Sequence, residues 1–145
     1  MPLNIIKLCV GASSIEDLAA WQAERIREQK KRGEKPRIFH ATLQTPKKQA
    51  ELKGGSLYWV IKGIVQVRQK LAGFEDGVKE DGSPCCLILL DRKLVPVRPV
   101  PRRAFQGWRY LPEDDAPKDL GTGKSDDLAL LPPDMRRALL DLGLI

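Results

Sequence analysis

The chain has 145 residues, 42% of them hydrophobic and 30% charged, which is the composition of one ordinary soluble domain. A domain of this length buries roughly 70% of the surface its unfolded chain exposes, so it folds without a disulfide framework or a structural metal, and no cofactor is expected. Its 25 Lys and Arg against 19 Asp and Glu give a formal charge of +6, and its three cysteines (Cys9 alone, Cys85 beside Cys86) form no spaced framework, so the chain reads as reduced and cytoplasmic.

The segment 3–10, LNIIKLCV, is rich in branched apolar residues and reads as a short buried strand stopped by Gly11. It carries Lys7 and lacks a small-residue cleavage site, and no apolar run approaches the roughly 20 residues of a membrane helix. Neither an export signal nor a membrane partner is therefore expected. Ser13 to Glu16 spells a capping box, with Ser13 accepting the Glu16 amide, and opens a helix whose inner face is Ile15, Leu18, Ala19, Gln22 and Ile26. Gly33 ends it. Residues 37–43 alternate, with Phe39, Ala41 and Leu43 on the side predicted to be buried. Thr45-Pro46 then starts a short helical turn closed by Gly54-Gly55.

Strand signals dominate the middle of the chain, at 56–62, 64–74, 85–91, 94–100 and 105–111. The connections between them are of hairpin length, which predicts an antiparallel meander. Prolines around 96–101 require an edge or bulged strand there. These signals predict an α+β fold, a small curved antiparallel β-barrel flanked by two or three helices, over residues 1–120. Residues 121–145 are expected to form an acidic linker and a C-terminal helix, from about 134 to 142, packed on the same domain.

Charge is unevenly placed. Residues 25–53 hold ten basic and three acidic side chains, and the acid-free run from Arg92 to Arg109 adds six more cations, whereas residues 113–127 hold six acids and two lysines. A basic body with an acidic segment is the asymmetry of a polyanion binder. The aromatic and polar residues interleaved with these cations can stack on bases, grip phosphates and read base edges. The candidate nucleic-acid site is Lys47, Lys48, Tyr58, Lys62, Gln66, Arg68, Arg102, Arg103, Gln106, Trp108 and Arg109, although about half the aromatics must serve the core. Period two places Lys62, Gln66 and Arg68 on one side of the sheet.

Other chemistry is thinly supported. Gly121-Thr122-Gly123-Lys124-Ser125 ends like a phosphate loop but has Lys118 where the first Gly belongs and no buried strand before it. His40, the single histidine, lies opposite Phe39 and Ala41 and reads as a hydrogen-bonded or surface imidazole. Cys85 and Cys86 point to opposite faces of a strand, so no metal site is expected. An enzyme is the lesser expectation, and it would draw on His40 or Cys9.

The segments KLCVGASSIEDLAAWQ, GGSLYWVIKGIVQVRQ and RRAFQGWRYL resemble an uncharacterised bacterial family catalogued as a domain of unknown function, over about residues 3–120. The order helix, Gly-Gly, LYWVIKG, IVQVRQKLAG, CCLILLD also resembles the small barrels of the pseudouridine-synthase-and-archaeosine-transglycosylase (PUA-like) and ASC-1-homology groups. That likeness implies a cleft between helix and barrel that binds RNA or a modified base. The function expected is a nucleic-acid-binding module, RNA before DNA. The alternatives are a protein-interaction adaptor that uses the acidic tail or C-terminal helix, and a small nucleotide-acting enzyme.

Overall fold

The computed structural model describes residues 3–9, 11–103, 105 and 107–119. The predicted linker, the C-terminal helix, the Gly121–Ser125 run and Gln106 lie outside the described residues. In chain order the elements are β1 (Asn4–Leu8), α1 (Ile15–Lys31), β2 (Ile38–Thr42), α2 (Gln49–Leu52), β3 (Ser56–Ile61), β4 (Ile64–Val78), β5 (Pro84–Pro101), β6 (Trp108–Leu111) and a 3-10 turn (Glu113–Asp115). They build an α+β fold around one six-stranded sheet of order β2-β5-β4-β3-β1-β6.

The sheet departs from the predicted antiparallel barrel in two respects. Strand β1 runs parallel to β3, with Ile5 opposite Leu57 and Leu8 opposite Val60. The chain between them contains α1 and is long enough for a crossover, so hairpin spacing governs only the later strands. Among the described residues the outer strands β2 and β6 do not pair, so the sheet is mixed and open. It is nevertheless curled. Trp108 Nε1 donates to the Gln44 carbonyl at 2.7 Å, and the Tyr110 hydroxyl accepts the Lys47 and Lys48 amides at 3.0 and 3.1 Å. Side chains of one edge thus hold the segment that follows the other edge.

The two strands predicted at 85–91 and 94–100 are one continuous β5. Strand β2 covers β5 only from Cys86 to Leu90, and beyond Asp91 no strand among the described residues covers that side of β5. It meets only residues 118–119 there, through an isolated antiparallel bridge of Val97 with Asp119 and the Arg98 amide on the Lys118 carbonyl at 2.9 Å. The exposed Asp91, Arg92 and Lys93 and the prolines 96, 99 and 101 need no ladder partner there, as the proline spacing predicts. The helix cap is shifted by one residue. Ser14, not Ser13, is the N-cap and accepts the Asp17 amide at 3.0 Å, while the Asp17 carboxylate takes the Ser13 amide and hydroxyl at 3.1 and 2.7 Å. Ser14→Ala should therefore cost about 1 kcal/mol in chemical denaturation and Ser13→Ala less. Equal losses would return the cap to Ser13.

Both faces of the sheet are covered near its centre, which is why every residue of β3 is buried. The larger core lies on the α1 side and joins Ile5, Ile15, Leu18, Trp59, Val67, Ile88 and Trp108. A smaller cluster of Ile6, Tyr58, Val60, Val65, Val97 and Leu111 lies on the other side. Gly54-Gly55 joins α2 to β3, and a Cβ on Gly55 would stand 2.0 Å from the Leu3 carbonyl oxygen, so only glycine lets β1 start here.

Candidate functional site

The predicted nucleic-acid residues do not converge on one cleft. Trp108 is 8% exposed and faces the α1 side, as core. Tyr58, Arg68 and Arg109 share the opposite face, on rows set by the pairs Ile6 with Tyr58, Ile6 with Arg109 and Tyr58 with Arg68. The predicted alignment of Lys62, Gln66 and Arg68 does not form. Lys62 sits with Gly63 at a tight turn, both at positive φ, and Gln66 is the extra residue of a bulge between Val65 and Val67. That bulge breaks the period of two and turns the Gln66 amide inward to the Ile61 carbonyl at 2.9 Å. Lys47, Lys48, Arg102, Arg103 and Arg109 are exposed, with Lys48 near the Tyr110 ring and Arg109 near Phe105.

Arg68 is already occupied. It forks onto Asp119 with two 2.7 Å hydrogen bonds and gives a third, at 2.9 Å, to Ser56 Oγ. That bonding pushes its pKa further up. The cavity beside it, about 480 Å³, is bordered by Glu113, Asp114 and Asp119. A phosphate there would meet carboxylates and would have to displace an internal partner from the arginine.

A different cleft, about 360 Å³, opens between α1 and the sheet. Its lining includes Lys7, Cys9, Trp21, Arg25, Phe39, His40 and Trp59, and no acidic residue. Four rings line its wall. His40 lies between Trp21 and Trp59, with centroids 4.7 and 4.5 Å away. The Arg25 guanidinium sits 4.3 Å from the Trp21 centroid and 5.4 Å from that of Phe39. Trp21 remains 40% exposed, which is unusual for a residue of its size.

His40 faces inward, contrary to the predicted alternation. Ile38 and Thr42 are the buried residues of β2, while Ala41 and Leu43 are exposed. The aromatic partners waiting at Trp21 and Trp59 explain the reversal.

A hydrogen-bonded relay under the cleft fixes the imidazole. Trp59 Nε1 can only donate, so the Gln69 oxygen must accept it, at 2.9 Å, and the Gln69 amide nitrogen then gives to the Asp91 carbonyl at 3.0 Å. Gln22 pairs reciprocally with Gln69 at 2.8 and 3.0 Å, which leaves the Gln22 nitrogen facing His40 Nε2 at 3.5 Å. A donor facing Nε2 assigns the imidazole proton to Nδ1. Burial, then the charges of Arg25 and Lys7, hold the His40 pKa down at about 3, so the ring is neutral at physiological pH. Burial likewise pushes the Cys9 thiol up to about 11. A neutral imidazole and a protonated thiol make a wall suited to binding, with neither a ready base nor a ready nucleophile.

Sequence reasoning missed Lys7, Trp21 and Arg25 as parts of one site. A signal was present for Lys7, which stands at a core-facing position of β1 between Ile5 and Cys9. Among the described residues no helix is long and apolar enough to cross a membrane, and no group of three His, Cys, Asp or Glu side chains could hold a metal ion.

Fold and cleft together define an α+β domain with an aromatic, acid-free cleft between helix and sheet. The chain belongs to the family described as Protein of unknown function (DUF1489), whose model matches residues 5–145. No curated protein and no solved structure matches it.

Proposed function

We propose that the protein is a nucleic-acid-binding module, for RNA before DNA, that captures one unstacked nucleotide in the cleft between α1 and the sheet. The observation that carries this reading is the cleft itself: exposed aromatic surface on Trp21, the half-buried Phe39 ring, the Arg25 cation beside both and no carboxylate in its lining. Its volume of about 360 Å³ falls at the small end of ligand clefts. Bases stack on such rings whatever their sequence, while guanidinium and ammonium groups hold the phosphates.

The surrounding surface supports the same reading. The Cys9 amide bonds the Val60 carbonyl at 2.9 Å, and the Arg102 amide bonds Gly63 at 2.8 Å. Lys62, Arg102 and Arg103 therefore lie at the end of the sheet where the cleft rim, with Cys9, Gly11 and Ala12, begins. They form a basic approach to it, and long-range attraction along such a track speeds capture of a polyanion. The curled sheet, its edges joined through Trp108 and Tyr110, supports extending the PUA-like small-barrel likeness to this fold, with the ligand between helix and sheet. The free thiols Cys9, Cys85 and Cys86 support a reducing, cytoplasmic setting.

The test is titration of a short single-stranded RNA at several salt concentrations, with circular dichroism to confirm folding. Trp21→Ala should weaken binding by about 1–3 kcal/mol with little loss of stability, because the side chain is 40% exposed. Arg25→Ala should lower the slope of log affinity against log salt by roughly 0.7. Unchanged affinity in folded Trp21→Ala would remove the cleft from the reading.

A further inference from the structure

Lys7 is a half-buried cation that takes part in no ion pair or hydrogen bond among the described residues. The ion pairs there join Arg27 to Glu24, Arg32 to Glu34, Arg37 to Glu75 and Arg68 to Asp119. Neither Lys7 nor Arg25 joins one. Lys7 lies in β1 between Trp59 of β3 and Trp108 of β6, on the face that carries the larger core. Burial alone pulls its pKa below the ordinary lysine value. An ammonium placed there without a counter-charge destabilises the fold relative to an apolar residue, so packing does not account for it. A ligand anion accounts for it: Lys7 and Arg25 both line the same acid-free cleft, one cation on β1 and one on α1.

Two cations suit a dianion. A phosphate monoester carries about −1.5 to −2 at neutral pH, whereas an internal phosphodiester carries a single negative charge. An internal nucleotide must also let the strand leave on both sides, while Leu18 and Trp59, each 1% exposed, close this cleft from within.

We infer that the cleft takes a nucleotide bearing a terminal phosphate monoester, with the phosphate between Lys7 and Arg25 and the base on Trp21 and Phe39. The inference rests on the nucleotide-binding reading of the same cleft and names the chemical end it selects. The monoester has two sources, a free nucleoside monophosphate or the phosphorylated end of an RNA strand.

The full chain is titrated with 5′-AMP, with adenosine, and with one hexanucleotide RNA bearing a 5′-phosphate, a 3′-phosphate or hydroxyls at both ends. The phosphorylated member of each set should bind at least about tenfold more tightly than its hydroxyl counterpart. Lys7→Gln should bring that ratio close to one, and Lys7→Arg should keep it. Should Lys7→Gln fail to fold, Arg25→Gln reads the same ratio. Tighter binding of 5′-AMP than of either phosphorylated strand identifies the free nucleotide as the source, and the reverse order identifies the strand end. Equal binding of phosphorylated and hydroxyl ligands, with Trp21→Ala weakening both, overturns the monoester inference while the base-binding cleft stands. Full retention of every affinity in folded Trp21→Ala overturns the cleft reading and this inference with it.

Discussion

Replacing Gln69 by Leu is expected to lower the stability of the fold by about 3–5 kcal/mol, although the two side chains differ little in volume. Gln69 is 0% exposed and serves three partners at once: the Trp59 indole N–H, the Gln22 amide and the Asp91 carbonyl. Asp91 is exposed and its carbonyl can turn to water. The Trp59 and Gln22 groups are buried and cannot, and each buried group left unpaired costs about 1–3 kcal/mol. Gln22→Leu should also destabilise, because it strips Gln69 of a partner. The double variant Gln22→Leu/Gln69→Leu should lose less than the sum of the two, since it leaves only Trp59 Nε1 unpaired. Urea denaturation of the four proteins measures this coupling. Strict additivity would mean that the two amides do not act as a pair, and the assignment of the His40 proton to Nδ1 would fall with it.

The same relay shows what was legible in the sequence. Gln22 stands in the inner stripe of α1 between Leu18 and Ile26, where a polar residue among apolar ones marks a buried bond. Its partner Gln69, 47 residues away, carries no local sign of the pairing. Strands β3 and β4 and their Lys62-Gly63 turn follow from alternation and from glycine at the bend, because local patterning decides hairpins. The parallel pairing of β1 with β3 is decided by where α1 packs, which no short window of sequence carries. In β2 the alternation is present, but both of its faces hold apolar residues. The inward choice of Ile38, His40 and Thr42 depends on aromatic partners contributed by other elements.

The predicted site residues are dispersed for a related reason. Counting cations and aromatics found the basic, aromatic stretches, but it gave equal weight to residues that the fold had already committed. Trp108 is committed to the Gln44 carbonyl and the core, Gln66 to a bulge, and Arg68 to Asp119. The cleft cations that join no ion pair among the described residues, Lys7 and Arg25, fall in two different elements and line one cleft only when α1 crosses the sheet. An unsatisfied charge is a property of the folded chain, so composition cannot reveal it.

Acid should destabilise this protein through one group more than through any other on the cleft wall. His40 titrates near 6.5 in the unfolded chain and at about 3 in the fold, because burial first, and the neighbouring charges of Arg25 and Lys7 next, oppose a third positive charge there. Above about pH 6.5 both states hold a neutral ring and the group has no effect on stability. Between pH 6.5 and 3 the unfolded chain binds a proton that the fold refuses, so stability falls as pH falls, by about 1.4 kcal/mol per unit and roughly 4–5 kcal/mol in all. Carboxylates add their own acid losses, so the informative quantity is the difference between the wild type and His40→Asn, which keeps a polar side chain without a titrating ring. From pH 6.5 to 4 the wild type should lose roughly 3 kcal/mol more than the variant in denaturant midpoints converted to free energy. The difference should vanish above pH 7. Parallel acid limbs for the two proteins would put the imidazole in water instead of between Trp21 and Trp59, and the cleft wall built on it would have to be redrawn.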